Sequence, residues 1–276
     1  MEINEAVILL GGMGTTLLPY TKTVPKEMLP IYDVPNIFLL VKEAYNSGIK
    51  KIIFVVTEHN KKIIQDFFTH DDYLEEFLKD KKDKKELLQE VEKIINEIEF
   101  KYVMQNMKGT YGALYSAKDY IEHDNFIVMY GDDLFASYEP VSKILIDKAK
   151  IDHQMYVTIR KRNYEDLPKV GVATIDKYNY LINLVPKETV KEGFELTGRM
   201  LLNKKIFNIK DQLVKHANDE YYLSYALLKF PNEVKVLIYD LPYFNIGEKS
   251  GYIKASIFYA LEKKDDDLLK YIKELK

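Results

Sequence analysis

The sequence predicts an α/β protein with a parallel sheet and crossover helices, and three observations lead there. Short apolar runs that stop at glycine or at polar turns recur along the chain. Segments with apolar residues at helical spacing separate the first of these runs. The composition, 47% hydrophobic over 276 residues, is rich enough to bury a sizeable core.

The elements can be justified in order. Ala6–Leu10 is an apolar run closed by Gly11 and Gly12, which reads as a buried strand feeding a turn. After a proline-rich loop, Ile37–Tyr45 has helical spacing, with Gly48 in a C-capping position. Lys51–Thr57 is a second buried strand and Asn60–Phe68 a second helix, giving strand, helix, strand, helix. From Asp71 to Asn96 the chain is dominated by Asp, Glu and Lys. Leu74, Phe77, Leu78, Leu87, Leu88, Val91, Ile94 and Ile95 put one apolar face on each of two expected helices. These read as a solvated pair lying on the body, or as a contact between copies.

Phe100–Met104 resumes the sheet, and the Gly109–Gly112 turn opens a helix to Ile121. Asn125–Tyr130 is the next buried strand and ends at Gly131-Asp132-Asp133. A helix is expected over Val141–Lys150, then strand-like runs at Gln154–Arg160, Val170–Ile175, Tyr180–Val185 and Phe194–Leu202. Helical segments follow at Phe207–His216 and Tyr221–Phe230, then a strand at Val234–Asp240 and a C-terminal helix from about Ser250. No linker or repeat divides residues 1–276, which read as a single domain.

Composition narrows function. A net charge of -3, with both signs interspersed, argues against a nucleic-acid binder. The absence of cysteine excludes disulfides, thiol catalysis and Cys-ligated zinc. The five histidines lack metal-ligand spacing, so a metal site would use carboxylates and suit a hard cation such as magnesium. There is no basic leader and no long apolar stretch, so neither signal peptide nor membrane span is expected, and the expected location is cytoplasmic.

The strongest candidate site is the turn Gly11-Gly12-Met13-Gly14-Thr15-Thr16. Closely spaced glycines let backbone amides approach phosphate oxygens without a Cβ in the way. Lys22 and Lys26 lie within loop reach, and Lys26 suits the charge of a triphosphate or a departing pyrophosphate. Asp132, at the carboxyl end of a strand, is placed to hold magnesium against phosphate.

Gly12-x-Gly14-Thr15, Leu18-Pro19, Thr21-Lys22 and Pro25-Lys26-Glu27-Met28-Leu29-Pro30 together resemble the signature of bacterial UTP–glucose-1-phosphate uridylyltransferases. The resemblance extends over the whole chain and includes the charged insertion at Asp71–Asn96. It implies a Rossmann-like nucleotidyltransferase fold with a mixed, mostly parallel central sheet flanked by helices. It also implies a magnesium-dependent reaction of UTP, or another nucleoside triphosphate, with glucose 1-phosphate or another sugar 1-phosphate. By the same resemblance Lys26 is catalytic, and Gly11, Gly12, Gly14, Thr15 and Gly131 contact substrate. Gln105 and Gly109 meet the base, Glu195 the sugar and Lys249 a phosphate, while Asp132 and Asn245 hold the metal. Tyr111 replaces a second glycine of the base segment and is closer to mannose-1-phosphate guanylyltransferases, leaving the base open.

Three charged family positions are neutral here: an arginine is Thr16, the sugar-phosphate lysine is Val185 and a metal-binding aspartate is Asn245. Leu184 stands for the glutamate before that lysine, and Lys187 is the nearest substitute cation. Two expectations follow: an active enzyme forming UDP-glucose, or a non-catalytic relative that binds nucleotide and modulates an active paralogue in mixed oligomers.

Overall fold

The computed structural model describes residues 2–167 and 171–274. From the N-terminus, β1 (Glu5–Leu9) leads through short 3-10 turns to the ladder of β2 (Pro30–Ile31) and β3 (Val34–Pro35), and then to α1 (Asn36–Asn46). β4 (Lys51–Val56) and α2 (Lys61–Phe67) follow, then the charged insertion and β5 (Glu99–Met104). After α6 (Gly109–Ser116) come β6 (Asn125–Tyr130), β7 (Asp133–Phe135) and α7 (Val141–Asp152). The second half supplies β8 (Met155–Asn163), β9 (Val172–Ile175), β10 (Leu181–Val185) and β11 (Glu192–Asn203). It closes with α8 (Leu223–Leu227), β12 (Val234–Ile238), β13 (Tyr243–Asn245), α9 (Lys249–Glu262) and α10 (Asp266–Glu274).

β1, buried throughout, is the keel of the sheet. It pairs in parallel with β4 on one side and β6 on the other, and β5 continues in parallel beyond β4. Beyond β6 the long strand β11 runs antiparallel and pairs with β8 and β9, while β10 borders β9 and β12 borders β8. The sheet is therefore mixed, with its parallel half carrying the glycine turn. Alternation along β1 feeds two cores: Ala6 and Ile8 pack with α1 residues, Val7 and Leu9 with residues of α6 and α8. Among the described residues no helix is long and apolar enough to cross a membrane.

Several expected elements differ in detail. The insertion forms three helices rather than two, α3 (Asp72–Phe77), α4 (Lys82–Glu86) and α5 (Gln89–Glu97). Asp71 caps α3 by accepting from the Leu74 amide at 2.9 Å, and only Leu78 and Ile94 of the eight apolar positions are fully buried. Phe207–His216 is replaced by a 3-10 helix, Lys204–Gln212, whose buried Ile206 and Ile209 sit three apart and match its tighter turn. The expected strand at Val170–Ile175 is seen as β9, while Val170 itself lies outside the described residues. The C-terminal helix is two helices, α9 and α10.

A buried ion pair ties the layers together. Arg199 of β11, with no exposed surface, donates from Nε to both carboxylate oxygens of Glu43 on α1 at 3.0 Å and from a terminal nitrogen at 2.8 Å. The same carboxylate accepts the amide and hydroxyl of Ser142 at the start of α7. One side chain thus joins two helices to the strand between the sheet's halves. Truncation would leave a guanidinium buried and uncompensated. Glu43→Ala should lower the unfolding free energy by about 3–5 kcal/mol, read by urea denaturation, and the joint change Glu43→Leu with Arg199→Met should recover much of that loss.

Candidate active site

β1 and β6 are parallel neighbours, so their carboxyl ends open on the same edge of the sheet. β1 delivers the glycine turn and β6 delivers Gly131-Asp132-Asp133. Between them is a cavity of about 340 Å³ lined by Gly11, Gly12, Lys26, Gln105, Gly109 and Asp132, among others. The sequence brought these six forward from four separate segments.

The glycines are there because other groups occupy their Cβ space. A Cβ on Gly12 would stand 2.9 Å from the Lys26 ammonium, and one on Gly11 would collide with the Gln105 carboxamide. Gly14 adopts a left-handed φ of 64° and its carbonyl accepts the Thr21 hydroxyl at 2.6 Å. Gly131 is buried beneath the cavity, where a Cβ would be 2.5 Å from Leu10 Cδ2. It packs the two strand ends together and turns the chain into Asp132.

Asp132 points to the cavity and forms an ion pair with Lys26. Asp133 points the other way and accepts from the Tyr243 hydroxyl at 2.6 Å and the Gly198 amide at 2.5 Å. Asn245 is paired with Asp133 across β13 and β7, which brings the late loop to the same edge. Asn245 Oδ1 and Asp132 Oδ2 each lie 3.0 Å from the point where a Cβ on Gly247 would stand. Thr16 donates its hydroxyl to the Gly247 carbonyl at 2.8 Å, linking the glycine turn to that loop.

The end of the cavity farther along the chain depends on Gly109, at φ 83°, where a Cβ would collide with the Tyr221 carbonyl. Close approach there docks Glu220 and Tyr222 on the cavity wall, joined by a hydrogen bond from the Tyr222 hydroxyl. Gln105 donates from Nε2 to the Met107 carbonyl at 2.7 Å, leaving Oε1 buried without a partner. Tyr111 is fully buried and donates its hydroxyl to the Ile206 carbonyl at 3.0 Å, so its ring leaves the cavity clear. Lys108, Thr110 and Tyr130 also line the cavity and adjoin motif residues in sequence. Glu220 and Tyr222 had no such signal, because a distant loop supplies them.

Other expected residues stand apart from this cavity. Thr15, Lys22 and Lys249 are exposed, Lys249 as the first residue of α9. Glu195 lies on β11 beside Arg162 of β8. Lys187 donates to the Glu165 carbonyl at 3.0 Å and covers the Tyr164 ring. Among the described residues no group of three or more His, Cys, Asp or Glu converges as a metal site would require.

Burial shapes the charges. Burial alone would lower the Lys26 pKa, but the charges of Asp132 and Glu27 outweigh it and hold it above the usual lysine value. Glu27, with both oxygens buried and unpartnered, is pushed up to about 7 by desolvation, against the pull of Lys26. Desolvation and the neighbouring Asp132 raise Asp133 to about 7.

A family model described as nucleotidyl transferase matches residues 5–261. A UTP–glucose-1-phosphate uridylyltransferase of Staphylococcus haemolyticus is 33% identical over 288 residues, covering 99% of each chain. A UTP-bound UGPase from Acinetobacter baumannii superposes with a TM-score of 0.87 at 25% identity, covering 100% of both chains. A UDP-glucose pyrophosphorylase complexed with UDP-glucose superposes with a TM-score of 0.83 at 27% identity, covering 95% of this chain and 100% of that one.

The state of Glu27 gives a test by pH. Its folded pKa is raised from 4.5 to about 7, so the folded state holds the proton more tightly. Its contribution is fully present below pH 4.5 and is lost as pH rises to about 7. Glu27→Gln should remove that fall, gaining on the order of 2–3 kcal/mol relative to wild type between pH 4 and pH 8. Urea denaturation across that range checks it, and a pH-independent difference would count against the buried, unpartnered carboxyl.

Proposed function

We propose a reaction from the premise that the chain belongs to the nucleotidyl transferase family, in the branch of the UTP–glucose-1-phosphate uridylyltransferases. It joins UTP to glucose 1-phosphate, forming UDP-glucose and pyrophosphate. A phosphate oxygen of the sugar phosphate attacks the α-phosphorus of UTP. The bond from that phosphorus to the bridging oxygen breaks, and pyrophosphate leaves with the electron pair.

The observation that carries this reading is Lys26, a buried ammonium held against Asp132 over Gly12. Phosphoryl-type transfer depends on positioning and on neutralising the charge that develops. Lys26 is the cation that meets the departing pyrophosphate, while Gly11 and Gly12 offer open backbone to the triphosphate. The unpartnered Gln105 Oε1 is an acceptor suited to the N3–H of a uracil ring. The Asp132 and Asn245 oxygens flanking Gly247 are hard donors and fit magnesium, provided phosphate completes the shell. Magnesium bound there would neutralise phosphate charge.

The rival, a chain that binds sugar nucleotide without turnover, has only Thr16, Val185 and Asn245 in its favour. Pyrophosphate release from UTP, glucose 1-phosphate and magnesium tests the proposal directly. Turnover is expected, and binding of UDP-glucose without turnover would sink it. Lys26→Met should cost on the order of 10²–10³ in kcat. Thr16→Arg gives up the hydroxyl bond to the Gly247 carbonyl but adds a guanidinium at the exposed edge of the turn, and should raise kcat by about tenfold or more.

A further inference from the structure

A second charged group lies beyond the nucleotide cavity, on the antiparallel half of the sheet. Val185 pairs with Val172 across β10 and β9, and Glu195 pairs with Arg160 across β11 and β8. Phe194 pairs with Ala173, which places Val172 beside Glu195 in the same antiparallel register. Val185, Val172, Glu195 and Arg160 therefore form one cross-strand row and share a face. Arg162, two residues on from Arg160, shares that face and stands opposite Gly193.

These side chains are not arranged as an ordinary surface ion pair. Arg162 Nε and Glu195 Oε2 are 3.4 Å apart, yet both atoms are buried without a hydrogen bond. Arg160 makes no ion pair or side-chain hydrogen bond among the described residues; its guanidinium lies 4.4 Å from the centre of the Tyr243 ring. The Tyr243 hydroxyl in turn donates to Asp133, the residue after Asp132. Arg160 thus has no charged partner among the described residues, while Arg162 and Glu195 face each other without a hydrogen bond, on a row joined to Asp133 through Tyr243. Guanidinium forks match a phosphate bidentately, and a carboxylate oxygen accepts from hydroxyls.

We propose that Arg160 and Arg162 bind the phosphate of the sugar 1-phosphate, beside Glu195, to which the family resemblance gives the sugar. The cation missing at Val185 is thereby supplied from β8, in the same row of the sheet. This rests on the proposed function for the identity of the sugar phosphate.

The test pairs binding with kinetics. Calorimetric titrations with glucose 1-phosphate, free glucose and UTP are made with magnesium, with and without a UTP analogue whose α and β phosphates are joined by methylene. Arg160→Gln, which keeps the stem on Tyr243, should weaken glucose 1-phosphate about 10- to 100-fold and leave UTP within about twofold. Arg162→Gln should act in the same direction, and Arg160→Lys should recover part of the loss. In the pyrophosphate assay the KM for glucose 1-phosphate should rise while that for UTP holds. Unchanged affinity in both glutamine variants, equal loss for both ligands, or a wild type that binds no glucose 1-phosphate would overturn the proposal. A wild type that turns over normally, with both variants unaffected, removes this site and leaves the reaction standing. Arginine-dependent binding without turnover does the reverse.

Discussion

The site turns on one buried ammonium. Lys26 is surrounded by Asp132, Glu27 and Asp133, three carboxyl groups against a single cation. In a medium of low dielectric all three cannot ionise cheaply, so the two that are most buried keep their protons to about pH 7. Asp132, the most exposed of the three, forms the ion pair with Lys26. This arrangement leaves the Lys26 ammonium beside Gly12 on the cavity wall, paired with the one carboxylate that also lines that cavity.

Topology explains how so few residues assemble this balance. The parallel pairing of β1 with β6 brings two strand ends to one edge, where open α/β sheets place their ligands. The pairing of β13 with β7 brings Asn245 and Gly247 there from far along the chain. Glycine is required wherever two of these segments meet: Gly12 under Lys26, Gly131 against Leu10, Gly247 between Asp132 and Asn245. At Gly12 and Gly247 a Cβ would crowd Lys26, Asp132 and Asn245, and at Gly131 it would crowd the core residue Leu10. The Glu43–Arg199 pair then holds β11 against α1 and fixes the frame behind the site.

Legibility followed the physics of each signal. The strands beside β1 are buried on both faces, so their apolar runs are visible in the sequence, and Gly11, Gly12, Lys26, Gln105 and Asp132, each conspicuous there, line one cavity. Gly131, an expected substrate contact, also has a packing reason to be glycine, since a Cβ there would meet Leu10, and sequence alone does not show that second constraint. The wall formed by Glu220 and Tyr222 was hidden, because it depends on Gly109 admitting the Tyr221 backbone rather than on any local pattern. Tyr111 reads as a change in base recognition only while its direction is unknown; once buried against Ile206 it is a core residue. The insertion is legible in composition but not in helix count, since a break between Leu78 and Lys82 and another at Leu87–Leu88 divide it, and only α5 packs an apolar face, Val91, Ile94 and Ile95, on the core.

The three neutral positions look different once the sheet is laid out. Relative to the family pattern, Thr16 and Val185 each remove a positive charge and Asn245 removes a negative one, a net formal change of -2 + 1 = -1 at the site. The row on β8 and β11 holds Arg160, Arg162 and Glu195, a net formal charge of 2 - 1 = +1. An anionic ligand responds to the summed field over several ångströms as well as to individual contacts, so charge moved along a cross-strand row still acts on it. What a relocated cation cannot preserve is the direction of its hydrogen bonds. A lysine at the end of β10 would meet a phosphate as a point charge, whereas a guanidinium on β8 meets it as a planar fork from another side. Under the proposed assignment, a fork on β8 in place of a point charge on β10 would constrain the orientation of the sugar 1-phosphate as well as attract it.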